Sequence, residues 1–286
     1  GKLQGFTPQG LSNLLWAMAA LGDHGPRGFL DALLAEVASK LPGFSMQGLS
    51  TSAWAIVRLR ATAHVGGSCA SGGAGGFGGG AASRGGGGSV ASGAGAVFGL
   101  LVAEAAQPTR LSAANPQAIT NLLWAMATAG HRNDAFVAMA LARARSMLPS
   151  FTPQALSNTA WALTMLGVDD VRFMRALLAQ SRTRLRGFSA QAMANTVWAM
   201  AQLRLRDEGL LGAVAAELAG PKLHTTNGHD LSSALWAFAS LGYRPHDAPL
   251  SALLAEVCRQ LPRFEDQGVS ITLWAVATLC HSGGGP

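Results

Sequence analysis

The chain has 286 residues, is 49% hydrophobic and only 13% charged, and carries a formal net charge of +6. That apolar content suffices for a buried core at this length and excludes an intrinsically disordered chain. No uncharged apolar run reaches the roughly 18 residues of a membrane span, and Cys69, Cys258 and Cys280 show neither disulfide nor metal-ligand spacing, which suits a reducing compartment.

Gly1–Gln9 lack the features of a signal or transit peptide. The chain does not begin with methionine and is expected to be a fragment. Seven tryptophans then mark its organisation: Trp16, Trp54, Trp124, Trp161, Trp198, Trp236 and Trp274. Their spacings are 38, 70, 37, 37, 38 and 38 residues, so each marks one copy of a repeat of about 38 residues, with one interruption. The clearest copies run from Phe6 to Gly22 and from Phe151 to Gly167. Each opens on Thr-Pro, an N-cap with proline at the first helical position, and closes on glycine, a C-cap signal. The pattern predicts a first helix from about eight residues before each tryptophan to about five after it.

A second amphipathic helix is predicted behind most first helices, at Phe29–Leu41, Ala96–Gln107, Asp134–Leu148, Val171–Leu185, Leu210–Ala219 and Ala248–Leu261. Several end at Leu-Pro, where proline stops a helix. No stretch alternates like a strand. The predicted fold is therefore all-α, an α-solenoid of about seven helical-hairpin repeats. Residues 1–65 carry the first helices of repeats 1 and 2. Residues 66–95 hold 15 of the chain's 36 glycines and are expected to form a disordered insertion within repeat 2. Residues 96–286 carry the remainder of repeat 2 through a truncated repeat 7.

Helical geometry sorts the first helix into two faces. With tryptophan at the origin, the apolar positions five before, one before and two after form a wall toward the second helix and neighbouring repeats. The positions seven before, three before and four after form a stripe pointing away from it. Seven before stand Gln9, Gln47, Gln117, Gln154, Gln191, His229 and Gln267. Three before stand Asn13, Thr51, Asn121, Asn158, Asn195, Ser233 and Ile271. Four after stand Ala20, Arg58, Thr128, Met165, Gln202, Ser240 and Thr278, different in almost every repeat. A uniform amide column suits one contact repeated along the stack, and a variable column suits readout that changes from repeat to repeat. The competing reading is a ladder of amides bridging adjacent repeats for structure alone. Tryptophan borders the wall and reads as packing before stacking platform.

Charge is uneven: residues 131–206 carry +7 and residues 207–286 carry −4. The basic block contains Arg143, Arg145, Arg172, Arg175, Arg182, Arg184 and Arg186 on second helices and loops, candidates for phosphate contacts. Its alternative is a solvated basic face. Helical hairpins, inner amides and a basic stretch together fit single-stranded RNA, about one nucleotide per repeat. A protein-binding scaffold of the HEAT or armadillo kind has a similar period and remains the alternative. Nothing supports an enzyme, metal or cofactor: the histidines are scattered, and Gly73–Gly78 matches G-x-G-x-x-G without a strand before it.

Pro8-Gln-Gly-Leu-Ser-Asn-Leu-Leu-Trp-Ala17 and Pro153-Gln-Ala-Leu-Ser-Asn-Thr-Ala-Trp-Ala162 resemble the core of the octotricopeptide repeat family, Pro-x-x-Leu-x-Asn-x-x-Trp-Ala. The resemblance covers nearly the whole chain except residues 66–95. It implies sequence-specific RNA binding in chloroplasts, or alternatively mitochondria, in processing, stabilisation, splicing or translation of transcripts. It also implies a C-terminal RAP domain in many members. The chain departs from the pattern at Thr51, Ser233, Ile271 and His229.

Overall fold

The computed structural model describes residues 2–64 and 90–281. Among them there is no strand, and the all-α expectation holds. The helices are α1 (Pro8–Leu21), α2 (Phe29–Ser39), α3 (Met46–His64), α4 (Val90–Ala105), α5 (Pro108–Ser112), α6 (Pro116–Ala129) and α7 (Asp134–Met147), followed by α8 (Pro153–Met165), α9 (Val171–Thr183), α10 (Ala190–Gln202), α11 (Glu208–Ala219), α12 (Gly228–Ser240), α13 (Asp247–Gln260) and α14 (Asp266–His281). They form two compact units, Gly1–Ala140 and Leu141–Pro286.

The first helices start where the caps predict. Thr7, Asn115, Thr152 and Ser189 each accept a bond from the backbone N–H three residues on, at 2.8–3.1 Å. Proline follows directly at Pro8, Pro116 and Pro153, supplying a fixed φ where no N–H is needed. Gly22 and Gly130 close α1 and α6 in the left-handed conformation. Second helices end in a 3-10 turn, as at Leu41–Gly43, Leu148–Ser150 and Leu261–Arg263. Leu185–Gly187 makes the same turn without proline.

Within each unit the first helices form one layer and the second helices another. In the first unit α3 packs between α1 and α6, while α4 packs on α2 and α3. In the second, α8, α10, α12 and α14 stack in order, backed by α9, α11 and α13. Each unit is therefore a solenoid-type stack of hairpins. The predicted wall is the core: Leu11, Leu49, Ile119, Leu156, Met193 and Leu231 are fully buried, as are Leu15, Ala53, Leu123, Ala160, Val197 and Leu235. The last repeat breaks the pattern. Leu273 holds the same wall position in α14 yet is 64% exposed, because no described second helix covers it.

The second helix of repeat 2 starts at Val90, not at Ala96. Gly93 and Gly95 lie where an added Cβ would meet nothing. Ala94, Val97, Phe98, Leu101 and Val102 are buried instead. Packing of those apolar residues on α2 and α3 outweighs the poor helix propensity of glycine. Most of the predicted glycine-rich insertion, with Cys69 and Gly73–Gly78, lies outside the described residues.

Repeats are also joined by a clamp at the end of the second helix. Lys40 Nζ donates to the carbonyls of Gln4 (2.6 Å) and Phe6 (2.8 Å). Arg110 donates to Pro42 and Phe44 (2.5 Å each) and pairs with Glu104. Arg184 donates to Phe151 (2.6 Å) and to Pro149. Gln260 Nε2 donates to Thr226 (2.8 Å). In each case a long polar side chain crosses to the loop one repeat earlier and satisfies carbonyls that precede the next first helix.

Candidate nucleic-acid interface

The stripe predicted from helical angles is open. Gln9, Gln47, Gln117, Gln154, His229 and Gln267 are exposed and Gln191 is half-buried. Beside them Asn13 is exposed, while Thr51, Asn121, Asn158, Ser233 and Ile271 are half-buried; Asn195 is the most covered, at 9% exposure. Four residues past tryptophan, Ala20, Thr128, Met165, Gln202 and Ser240 are exposed. Fixed φ/ψ and one helical register per repeat bring these three columns onto one face of the first-helix layer within each unit.

Among the described residues, no side chain of the Gln or Asn columns makes a hydrogen bond. A buried hydroxyl column lies four residues before tryptophan, at Ser12, Ser50, Thr120, Ser157 and Ser232. Ser12 and Ser50 donate to carbonyls of their own helix, at Gln9 and Gln47, whereas Ser157 and Ser232 bridge repeats. Ser157 donates to the Ala192 carbonyl of the next first helix at 2.9 Å. Ser232 reaches both the Gly268 carbonyl (3.3 Å) and the Thr272 hydroxyl (2.8 Å). Sequence reasoning missed this column. The signal was there, since small hydroxyl residues recur beside the apolar wall where only a short polar side chain can approach a neighbouring backbone.

The tryptophans border both faces. Trp54, Trp161, Trp198 and Trp236 are half-buried, Trp124 is buried, and Trp16 and Trp274 are exposed. The packing role is therefore real, but most of the rings stay partly exposed. Trp54 also carries the Arg58 guanidinium, 5.6 Å from its ring centroid.

The candidate phosphate-binding arginines are not on this face. Arg143 and Arg145 lie on α7, Arg172, Arg175 and Arg182 on α9, and Arg184 and Arg186 in the turn that follows. The structure thus separates cations and amides into different helical layers. The cations also divide by duty. Arg184 is committed to the inter-repeat clamp, and Arg145 pairs with Asp170 at 2.9 Å and lies over Phe173. Arg182 is loosely paired with Asp207 at 3.9 Å. Arg143, Arg172, Arg175 and Arg186 are exposed, and none makes an ion pair among the described residues.

Two buried carboxyls lie in the second unit, Asp230 on α12 and Glu256 on α13. Asp230, 2% exposed, replaces the alanine that Ala155 and Ala192 supply at the same place. Burial raises its pKa from 3.8 to about 6, partly offset by the Asn227 backbone N–H. Glu256 moves the other way, to about 2, because Arg259 hydrogen-bonds and pairs with it, with help from Gln260. Among the described residues no cluster of side chains could hold a metal ion, and no helix is long and apolar enough to cross a membrane.

A stack of helical hairpins with an open polar stripe defines a helical-repeat protein. Its relationship is specific: residues 50–281 match the family described as the N-terminal domain of the Tbc2 translation factor. The chain belongs to that family, which ties it to translation-related function. No curated protein matches it.

Proposed function

We propose that this chain binds single-stranded RNA in a sequence-specific manner and acts in organellar post-transcriptional gene expression, as the octotricopeptide-like repeats suggest. The observation that carries this reading is the open stripe. Gln and Asn side chains stand at fixed intervals with their donors and acceptors unused, which suits hydrogen bonding to the edges of unstacked bases. The half-buried tryptophans add apolar surface beside them. Membership of a translation-factor family is in keeping with an RNA partner. The chloroplast is the proposed compartment, with the mitochondrion as alternative. The role is one of binding, without catalysis or cofactor.

Because the arginines of α7 and α9 occupy the other layer, they act on such an RNA as a field. Helix layers are spaced about 8–10 Å apart, near the Debye length of about 8 Å at physiological salt. Selection from a random RNA pool tests the reading. Enrichment of one motif of about seven nucleotides, with affinity falling as salt rises, is the expected result. A pool that stays random, together with saturable binding to a protein partner, would establish the scaffold instead.

A further inference from the structure

We infer that repeat 2 selects a guanine, and that Arg58 is the residue that reads it; this rests on the RNA-binding reading above. Arg58 stands four residues after Trp54, in the variable column of the stripe. It is the single Lys or Arg among the 21 positions of the three columns. Phosphates repeat identically along a strand, so a backbone contact made from this column would recur from repeat to repeat. A cation present once fits a base present once.

The geometry supports a directional contact rather than a diffuse charge. Arg58 lies over the Trp54 ring at 5.6 Å. Its Nε is buried there without a hydrogen-bond partner. No carboxylate among the described residues pairs with the guanidinium, and its two terminal nitrogens are neither hydrogen-bonded nor fully enclosed. The guanidinium is thus held over the indole by its enclosed Nε side, and its two terminal nitrogens are left accessible and unbonded. A planar fork with two free donors matches two adjacent acceptors in one plane. Guanine offers that pair in O6 and N7, whereas adenine places an amino donor beside N7 and uracil has one exocyclic acceptor beside its N–H. Thr51 and Gln47 stand about two and three turns earlier on the same stripe, too far along the helix to share that base, which leaves the fork as its reader.

The test is RNA selection with the whole chain and with Arg58→Lys and Arg58→Ala, each first shown to keep its helical circular dichroism and melting transition. The expected wild-type motif contains one invariant guanine. Both variants lose preference at that position alone, with discrimination against adenine falling about tenfold or more. Arg58→Lys is decisive, because it keeps the charge and loses the fork. If Arg58→Ala weakens every RNA equally and Arg58→Lys restores them, the residue is a phosphate contact and the inference is wrong. An unchanged motif in both variants, or a base other than guanine lost with the substitution, also overturns it. A wild-type selection that enriches nothing removes the RNA-binding reading itself, which is a different result.

Discussion

The two helical layers of each unit are built from the same repeat yet carry opposite surface chemistry. The stripe of the first-helix layer presents uncharged amides and hydroxyls, with Arg58 the one Lys or Arg in its three columns. The second-helix layer presents the arginines, and many of those are engaged: Arg110 and Arg184 hold loop carbonyls, and Arg145 holds Asp170. A basic stretch in the sequence is therefore not one surface in the fold. Part of it is internal fastening, part is a solvated cationic face, and neither part shares a helix with the candidate base contacts. The lesson is that net charge reports long-range attraction, whereas the identity of each arginine's partner decides whether it is available.

The sharpest way to break this contrast is to compare arginines that look alike in sequence. Arg184→Ala removes two charge-assisted bonds to carbonyls at a repeat junction, and a loss of about 2–4 kcal/mol is expected. Arg172→Ala removes an exposed, unpaired side chain and is expected to change stability by less than ~0.5 kcal/mol. Urea melts of the two variants check this. Equal stability would show that the clamp contributes nothing and that Arg184 is as free as its neighbours.

The pair of buried carboxyls gives the next effect, and its sign differs between them. Asp230 has a folded-state pKa above its unfolded value, so protonation favours the folded state. Its cost is fully present above pH ~7 and is relieved as pH falls toward ~4. Glu256 has a folded-state pKa below its unfolded value. Its stabilisation is present above its unfolded pKa of about 4.5 and is lost as pH falls toward ~2. Thermal melts against pH should therefore peak in mildly acid solution. Asp230→Asn should raise stability by roughly 2 kcal/mol at pH ~7.5 and by nothing near pH ~3.5. A gain that is the same at both pH values would rule out the burial of charge as its cause.

A smaller change is expected at Arg204. It has φ of 53°, where Gly22, Gly130, Gly167 and Gly242 take the same left-handed turn at the equivalent place. Arg204→Gly should stabilise by about 0.5–1 kcal/mol, since glycine adopts that backbone without steric penalty. A destabilised variant would mean that the Arg204 side chain contributes more than its backbone costs.

Most of the fold was legible because its signals are local and repeated. Thr152, Pro153 and Trp161 define where α8 begins and which way it faces; the proline recurs at Pro8 and Pro116, and the tryptophan in every copy. The wall and stripe followed from 100° per residue alone. What was not legible depends on the register between repeats. Ser157 and Arg184 act on a backbone more than 30 residues away, and nothing in their own neighbourhood announces that partner. The early start of α4 was hidden for a similar reason, since glycine content argued against helix and only packing on α2 and α3 argues for it.

The smallest expected effect on stability discriminates best between the two adjacent residues Ser157 and Asn158. Ser157 is fully buried and bonded to the next repeat, so Ser157→Ala should cost about 1 kcal/mol and leave base preference unaltered. Asn158 is half-buried on the stripe without a partner among the described residues, so Asn158→Ala should shift the melting free energy by less than ~0.5 kcal/mol. On the proposed RNA-binding reading, the same substitution should nevertheless change the selected RNA at one position, because it deletes an unbonded amide of the stripe. A melting loss in Asn158→Ala as large as that of Ser157→Ala, with the RNA motif intact, would reassign the Asn column to structure. A changed motif with an unchanged melt would instead separate the two columns by function: one residue fastens the repeats together, and the next in sequence faces the ligand.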